Sequence, residues 1–340
     1  MPTFKNLRGL LIAPAMLLAG CNTVLLNPSG DIANQQGRLI VISTVLMLLI
    51  IIPVIFLVFY FAWRYRHGSE TAKKEYSPNW DHSVQLELAI WGAPLLIIIA
   101  LGAVTWISTH TLDPYRQLTR LDAKRPIPAD AQPINVEVVA LDWKWLFIYP
   151  DQGIALVNEL AAPVDVPIHF KITSSSVMNS FFIPALAGQI YAMPGMETKL
   201  HAVINQPGVF DGFSANYSGE GFSGMRFKFH GMNAADFGRW VERTKAGGGA
   251  LDRAAYLKLE QPSERDPVRR YGTVAPDLYQ AILNRCVDTT KMCMNQMMAI
   301  DAQGGMGKPG AHNTASKPWQ PDNNKSPMRT YVAAMCTPRD

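Results

Sequence analysis

One stretch, Pro207 to Met225, concentrates side chains at regular spacing: Ser214, Ser218, Phe222 and Met225 succeed one another four, four and three positions apart. Of the four, only the Met225 thioether is a soft metal donor, and one thioether does not hold a metal by itself. Ser214 and Ser218 do not lie on a nucleophile elbow, and no Ser/His/Asp arrangement can be argued around them. The stretch also contains a formal G-x-G-x-x-G at Gly219, Gly221 and Gly224. A dinucleotide fingerprint requires a helix to open there. Instead the chain continues through Met225 to His230, whose apolar–polar alternation predicts a strand, so a nucleotide site is excluded.

Other reactive residues are scattered. The seven His residues show no ligand spacing such as H-E-x-x-H. Cys286, Cys293 and Cys336 offer three alternative single disulfides, and the sequence does not choose among them. Met292, Cys293, Met294, Met297 and Met298 form a soft-donor cluster, although a helix packing its Met face against a neighbour explains the same pattern. Glu87 stands at the start of an apolar run. There a carboxylate can either complement the helix dipole or mark a proton route at the membrane.

The elements that position these residues divide into a membrane part and an exported part. The chain of 340 residues is 48% hydrophobic and only 17% charged, below the roughly one quarter of ordinary soluble domains. Its apolar excess lies in the first third. Disorder throughout, a small disulfide scaffold and a nucleic-acid binder are excluded by the apolar content, the four Cys and a scattered net charge of +4. Residues 1–20 read as an export signal, and Leu18-Ala19-Gly20-Cys21 resembles a lipobox, which would make Cys21 an acylated N-terminus after a short exported segment to residue 38. Leu39 to Trp63 is 25 residues without a charge, about 37 Å as a helix. A second membrane helix is expected over 86–108. The loop 64–85 between them carries Arg64, Arg66, Lys73 and Lys74, which places it in the cytoplasm and both flanking segments outside the bacterial inner membrane.

From Pro133 the periodicity changes to two. Ile134 to Val138, Val164 to Ile172 and Met225 to His230 alternate, punctuated by Pro and Gly, which predicts a β-sandwich over 133–246 closed by a helix from about Ala234 to Lys245. Residues 250–300 read as a mostly helical extension with a loop around Pro262 to Gly272. Residues 301–340, rich in Gly, Pro and Asn, read as a disordered tail. The fold class expected is therefore α+β: a two-helix transmembrane hairpin, a β-sandwich and a helical extension.

The stretch from Pro207 to Met225, together with Val177 to Pro184, Ala192 to Gly195 and Asp142-Trp143-Lys144-Trp145, resembles subunit II of the haem-copper terminal oxidases. His82, Glu87, Trp91 and Pro94 fit that family's second-helix pattern, so the resemblance covers roughly residues 30–245. It implies a cupredoxin-like sandwich. Cytochrome c oxidases of the family hold a dinuclear copper centre with an upstream His and C-x3-C-x3-H-x2-M. Here Asn179 stands at the first His, Ser214 and Ser218 at the two Cys, Phe222 at the second His, and Met225 alone remains, while Asn216 replaces a Glu. Neutral hydroxyls do not substitute for bridging thiolates, and Phe has no donor atom.

That pattern resembles the branch that oxidises ubiquinol, the cytochrome bo type. The resemblance implies no cofactor in this chain, with haems, copper and the quinol site in a partner, subunit I. It further implies partners limited to that subunit, other oxidase subunits and membrane lipid, with no role for cytochrome c or nucleic acid, and a contribution of Glu87 near the mouth of a proton pathway. Trp143 and Trp145, electron-entry aromatics in a copper-bearing relative, would then be packing residues. A cytochrome c oxidase subunit with a degenerate copper site and a membrane-anchored lipoprotein binding module are the alternatives.

Overall fold

Uncharged runs long enough to cross a bilayer satisfy their backbone only as helices. In the computed structural model, which describes residues 24–302, they do so with additional turns at each end. Helix α1 spans Asp31–Arg64, the short α2 spans Glu70–Lys74, and α3 spans Val84–Thr111. The best windows of α1 and α3 have mean hydropathies of 3.1 and 2.3, and none of those window residues is buried within the chain. Such all-round apolar exposure calls for lipid or a neighbouring apolar helix. The expected export signal, Cys21, Cys336 and nearly all of the expected tail lie outside the described residues.

The exported part is a two-layer sandwich. Strands β1 (Ile134–Leu141), β2 (Lys144–Tyr149), β3 (Ile154–Val157), β4 (Glu159–Pro163), β5 (Pro167–Ser174), β6 (Asn179–Phe182), β7 (Ile190–Ala192), β8 (Thr198–Val203), β9 (Gly208–Ser214) and β10 (Arg226–Met232) lead into α4 (Ala234–Gly247). The extension adds β11 (Gly249–Leu251), α5 (Arg253–Leu259), β12 (Arg269–Val274), α6 (Leu278–Leu283) and α7 (Met294–Ala302). One sheet has the order β11-β12-β3-β2-β1-β5-β8, the other β4-β10-β9-β6-β7. Between them pack Val136, Val138, Trp145, Phe147, Tyr149, Phe170, Phe181, Phe227 and Phe229. Phe181 and Phe227 stack at 5.5 Å, and Trp145 meets both edge-on. The buried Tyr149 hydroxyl donates to the Ala161 carbonyl at 2.7 Å and accepts its N–H.

The extension carries three helices, as expected, and adds two short strands. Where the sequence suggests a loop through Gly272, Arg269–Val274 pairs antiparallel with β3 and enlarges the first sheet. The helices α5 and α6 then cover that sheet's outer face, where Val139, Leu141, Leu146, Ile148 and Val157 meet Tyr256, Leu259, Leu278 and Ile282. This explains why β2 and β3 are buried at every position rather than alternately. Lys144 is buried at the seam, where its ammonium donates to the Gln261 carbonyl at 2.7 Å and to Ser263 Oγ at 2.6 Å. Cys286 and Cys293 are joined as a disulfide between α6 and α7.

The helix hairpin is tied to the sandwich at its outer end. Ser29 and Gly30 donate to the Ala185 carbonyl at 3.1 and 2.8 Å, and Gly30 bridges Ile204. A Cβ on Gly30 would lie 2.5 Å from the Leu186 carbonyl oxygen, so only glycine permits this approach.

Candidate functional site

The sandwich brings the candidate positions to one end of the second sheet. Asn179 opens β6 and Ser214 closes β9, a neighbouring strand, with Phe181 paired to Ser214 in the ladder. Ser214 Oγ donates to Asn179 Oδ1 at 3.2 Å, and Asn179 Nδ2 donates to the Val177 carbonyl at 3.1 Å. Both side chains are almost fully buried, at 4% and 1% exposure. The chain then turns outward through Tyr217 and a single 3-10 turn, Glu220–Gly224, before returning as β10. Backbone bonds lace this loop to the strands: Ser214 N–H to Met225 O at 3.2 Å, Met225 N–H to Phe222 O at 3.1 Å, and Ala215 N–H to Ser180 O at 2.9 Å.

Phe222 packs edge-on against Tyr217 at 5.7 Å, and Met225 is buried in the sandwich core. Asn216 Nδ2 donates to the Met178 carbonyl at 3.4 Å. Of the five positions, Asn179 and Ser214 meet through their side chains, Ser218 Oγ is buried without a hydrogen-bond partner, and the set as a whole offers an amide, two hydroxyls, a phenyl ring and a thioether. A dinuclear copper centre needs bridging thiolates and imidazoles, and this donor set does not fit one. Among the described residues, no three His, Cys, Asp or Glu side chains gather as a metal site.

The glycines of this loop have a different purpose from phosphate binding. Trp143, leading into β2, lies beneath the loop and donates its indole N–H to the Ser218 carbonyl at 2.9 Å. A Cβ on Gly221 would stand 2.6 Å from the Trp143 ring, and one on Gly219, at φ 112°, 3.1 Å from it. Glu264 and Arg265 of the extension come within 2.8 and 3.0 Å of the Cβ positions of Gly221 and Gly224. No local pattern signals that the extension braces the loop. The paired Gly219 and Gly221 signal only a close approach to this loop, which Trp143 makes. Trp145, by contrast, is wholly inside the core.

The remaining candidates lie elsewhere. Glu87 is in the first turn of α3, whose 28 residues extend about 42 Å to the outer end. Its Oε1 is 2.8 Å from His82 Nδ1, and both side chains are about half exposed. Met294 rests against Gly195, whose Cβ position is 2.7 Å from the Met294 sulfur, so this methionine packs on the Met193–Met196 turn. His169 and His201 face each other across β5 and β8, their ring centroids 4.4 Å apart. Burial lowers the affinity of both for a proton, and for His201 the nearby His169 and Lys199 add to that.

Comparison with known proteins agrees with this architecture. Residues 152–230 match the family described as "Cytochrome C oxidase subunit II, periplasmic domain", and residues 245–290 match "COX Aromatic Rich Motif". Cytochrome bo(3) ubiquinol oxidase subunit 2 of Pseudomonas putida is 51% identical over 79% of this chain and 82% of its own length. The protein of the same name from Pseudomonas aeruginosa is 49% identical over 83% and 82%. Ubiquinol oxidase subunit 2 of Acetobacter aceti is 48% identical over 80% and 85%. With two membrane-length helices, a sandwich of the matched type and this level of identity across most of its length, the chain belongs to the ubiquinol oxidase subunit 2 family.

Proposed function

We propose that this chain is the subunit of a terminal ubiquinol oxidase that caps the outer face of the complex and carries no redox centre of its own. Haems, copper and the quinol site belong to subunit I, where quinol is oxidised and oxygen reduced to water with proton translocation. The observation that carries this reading is the Ser214–Asn179 hydrogen bond. At two positions where an electron relay needs thiolate and imidazole, two neutral side chains satisfy each other instead. A quinol arrives through the bilayer, so no exported relay is needed between donor and haem. The apolar, outward-facing surfaces of α1 and α3 supply the surface for packing against subunit I within the membrane. Glu87, held by His82, is the carboxylate proposed for proton entry on the cytoplasmic side. Cys21 is proposed as the acylated N-terminus, which the intact mass of the mature chain would report.

The test is substrate choice. A complex purified through this chain and supplied with ubiquinol or with reduced cytochrome c is expected to consume oxygen only with the quinol. Oxygen consumption driven by cytochrome c would overturn the proposal.

A further inference from the structure

Two cavities that share a wall sit where the helix hairpin meets the sandwich. The first, of about 220 Å³, has mixed walls, with Asp31, Asp113, Arg116, Arg120 and His201 beside apolar side chains such as Leu200. The second, of about 350 Å³, is a mostly apolar groove between α1 and α3, with Leu39, Val104, Ile107 and Leu112 along it and Arg38 at its edge. Gln35, Thr111, Leu112 and Arg120 line both. The pair thus forms one amphipathic recess, with most of its charged groups toward the sandwich and a mostly apolar groove toward the membrane.

Its depth is set by the sequence. Arg38 is the last charge before the 25 uncharged residues of the first span, and Ile107 ends the uncharged run of the second. Since both line the same groove, the groove opens at the outer boundary of the hydrocarbon, the level of lipid phosphates. Three guanidinium groups, of Arg38, Arg116 and Arg120, outnumber its two carboxylates, Asp31 and Asp113, the latter accepting the Tyr115 N–H at 2.9 Å. Arg120 spends Nε and Nη2 on Asp31, at 2.9 and 3.2 Å, which leaves Nη1 free of an acceptor among the described residues. Arg116 makes one contact, at 3.4 Å to the His110 carbonyl, and Arg38 makes none among the described residues. His201 Nδ1 is buried without a hydrogen-bond partner there. A free anion would leave the apolar groove unfilled, and an apolar helix would leave the guanidinium groups unmatched.

We infer that this recess seats one anionic phospholipid of the outer leaflet, its phosphodiester against Arg38, Arg116 and Arg120 and an acyl chain between α1 and α3. Arginine forks match phosphate oxygens, and apolar walls match the chain. The Asp31–Arg120 pair holds the recess open from the sandwich side.

The test uses the whole oxidase complex, stripped of lipid and titrated with dioleoylphosphatidylglycerol or dioleoylphosphatidylcholine, with retained lipids counted by native mass spectrometry. One phosphatidylglycerol is expected to bind in preference to phosphatidylcholine. The double variant Arg38→Gln/Arg116→Gln should weaken it roughly 30-fold, the effect of two cations lost at a membrane surface. Val104→Trp, which fills the groove and keeps every Arg, should abolish the same binding. Equal retention in the wild type and both variants, or equal affinity for the two lipids, would overturn the inference. So would a photo-crosslinker attached at position 104 that captures another subunit instead of lipid.

Discussion

Asp31, the first residue of the first membrane helix, grips Arg120 through both carboxylate oxygens across 89 residues of sequence. The carboxylate is almost buried and the guanidinium partly exposed, at 6% and 40%. The pair is therefore the polar clasp between hairpin and sandwich. Asp31→Asn removes the charge but not the volume, and should loosen the junction by about 1–2 kcal/mol, less than for a fully buried pair. Faster protease cleavage between residues 112 and 133, with the sandwich itself still resistant, is the expected reading.

The loop over Trp143 makes a second prediction, with its own control. Gly221→Ala would place a Cβ against the indole ring at 2.6 Å and should cost about 1–3 kcal/mol. Gly238, exposed inside α4 with no atom near its Cβ position, gives the opposite case. Gly238→Ala should raise stability by about 0.5–1 kcal/mol through helix propensity. Thermal melts of the two variants check the contrast.

Glu137 on β1 yields a pH dependence. Burial above all raises its pKa to about 7, with Glu197 and Asp151 adding to the rise and Lys171 opposing it. A carboxyl with a raised pKa takes up its proton more readily folded than unfolded, so the chain loses stability as pH climbs from about 4.5 through about 7, and the loss levels off above that. Glu137→Gln should therefore stabilise at pH 8, by about 1 kcal/mol after allowing for partial exposure, and change little at pH 4. Equal melting shifts at the two pH values would contradict this.

Glu87 is tested by function rather than stability. Glu87→Gln should slow proton-coupled oxygen consumption by the complex while leaving its subunit composition normal. Unchanged turnover would remove Glu87 from the proton route and leave it as a helix-end carboxylate beside His82.

Patterns decided within a dozen residues are legible in the sequence alone. The two spans, the strands around Ile134, Phe170 and Phe227, and the helix from Ala234 each announce their own period. The spacing of Ser214, Ser218, Phe222 and Met225 is equally local, whereas the meeting of Ser214 with Asn179 spans 35 residues and comes from the pairing of two strands. Contacts across long separations are what the sequence conceals. The strand Arg269–Val274 has no alternating burial, being exposed or half-buried everywhere but Gly272, and it is placed by its pairing with β3, more than a hundred residues earlier. Lys144 reads as a polar break between tryptophans, yet its ammonium is buried because a carbonyl 117 residues away receives it. The Cys286–Cys293 disulfide, by contrast, closes over seven residues, at the turn between α6 and α7.

The measurement that bears most directly on the central claim is copper bound by the full-length chain, purified in detergent and loaded with excess copper before desalting. As a positive control, Asn179→His/Ser214→Cys/Ser218→Cys/Phe222→His treated alike should take up copper and gain visible absorption, because thiolates and imidazoles then stand at the four positions where the copper-bearing relatives have them. The natural chain is expected to retain no stoichiometric copper and to stay colourless. Two copper atoms per chain with a visible band, lost on Met225→Leu, would contradict the account.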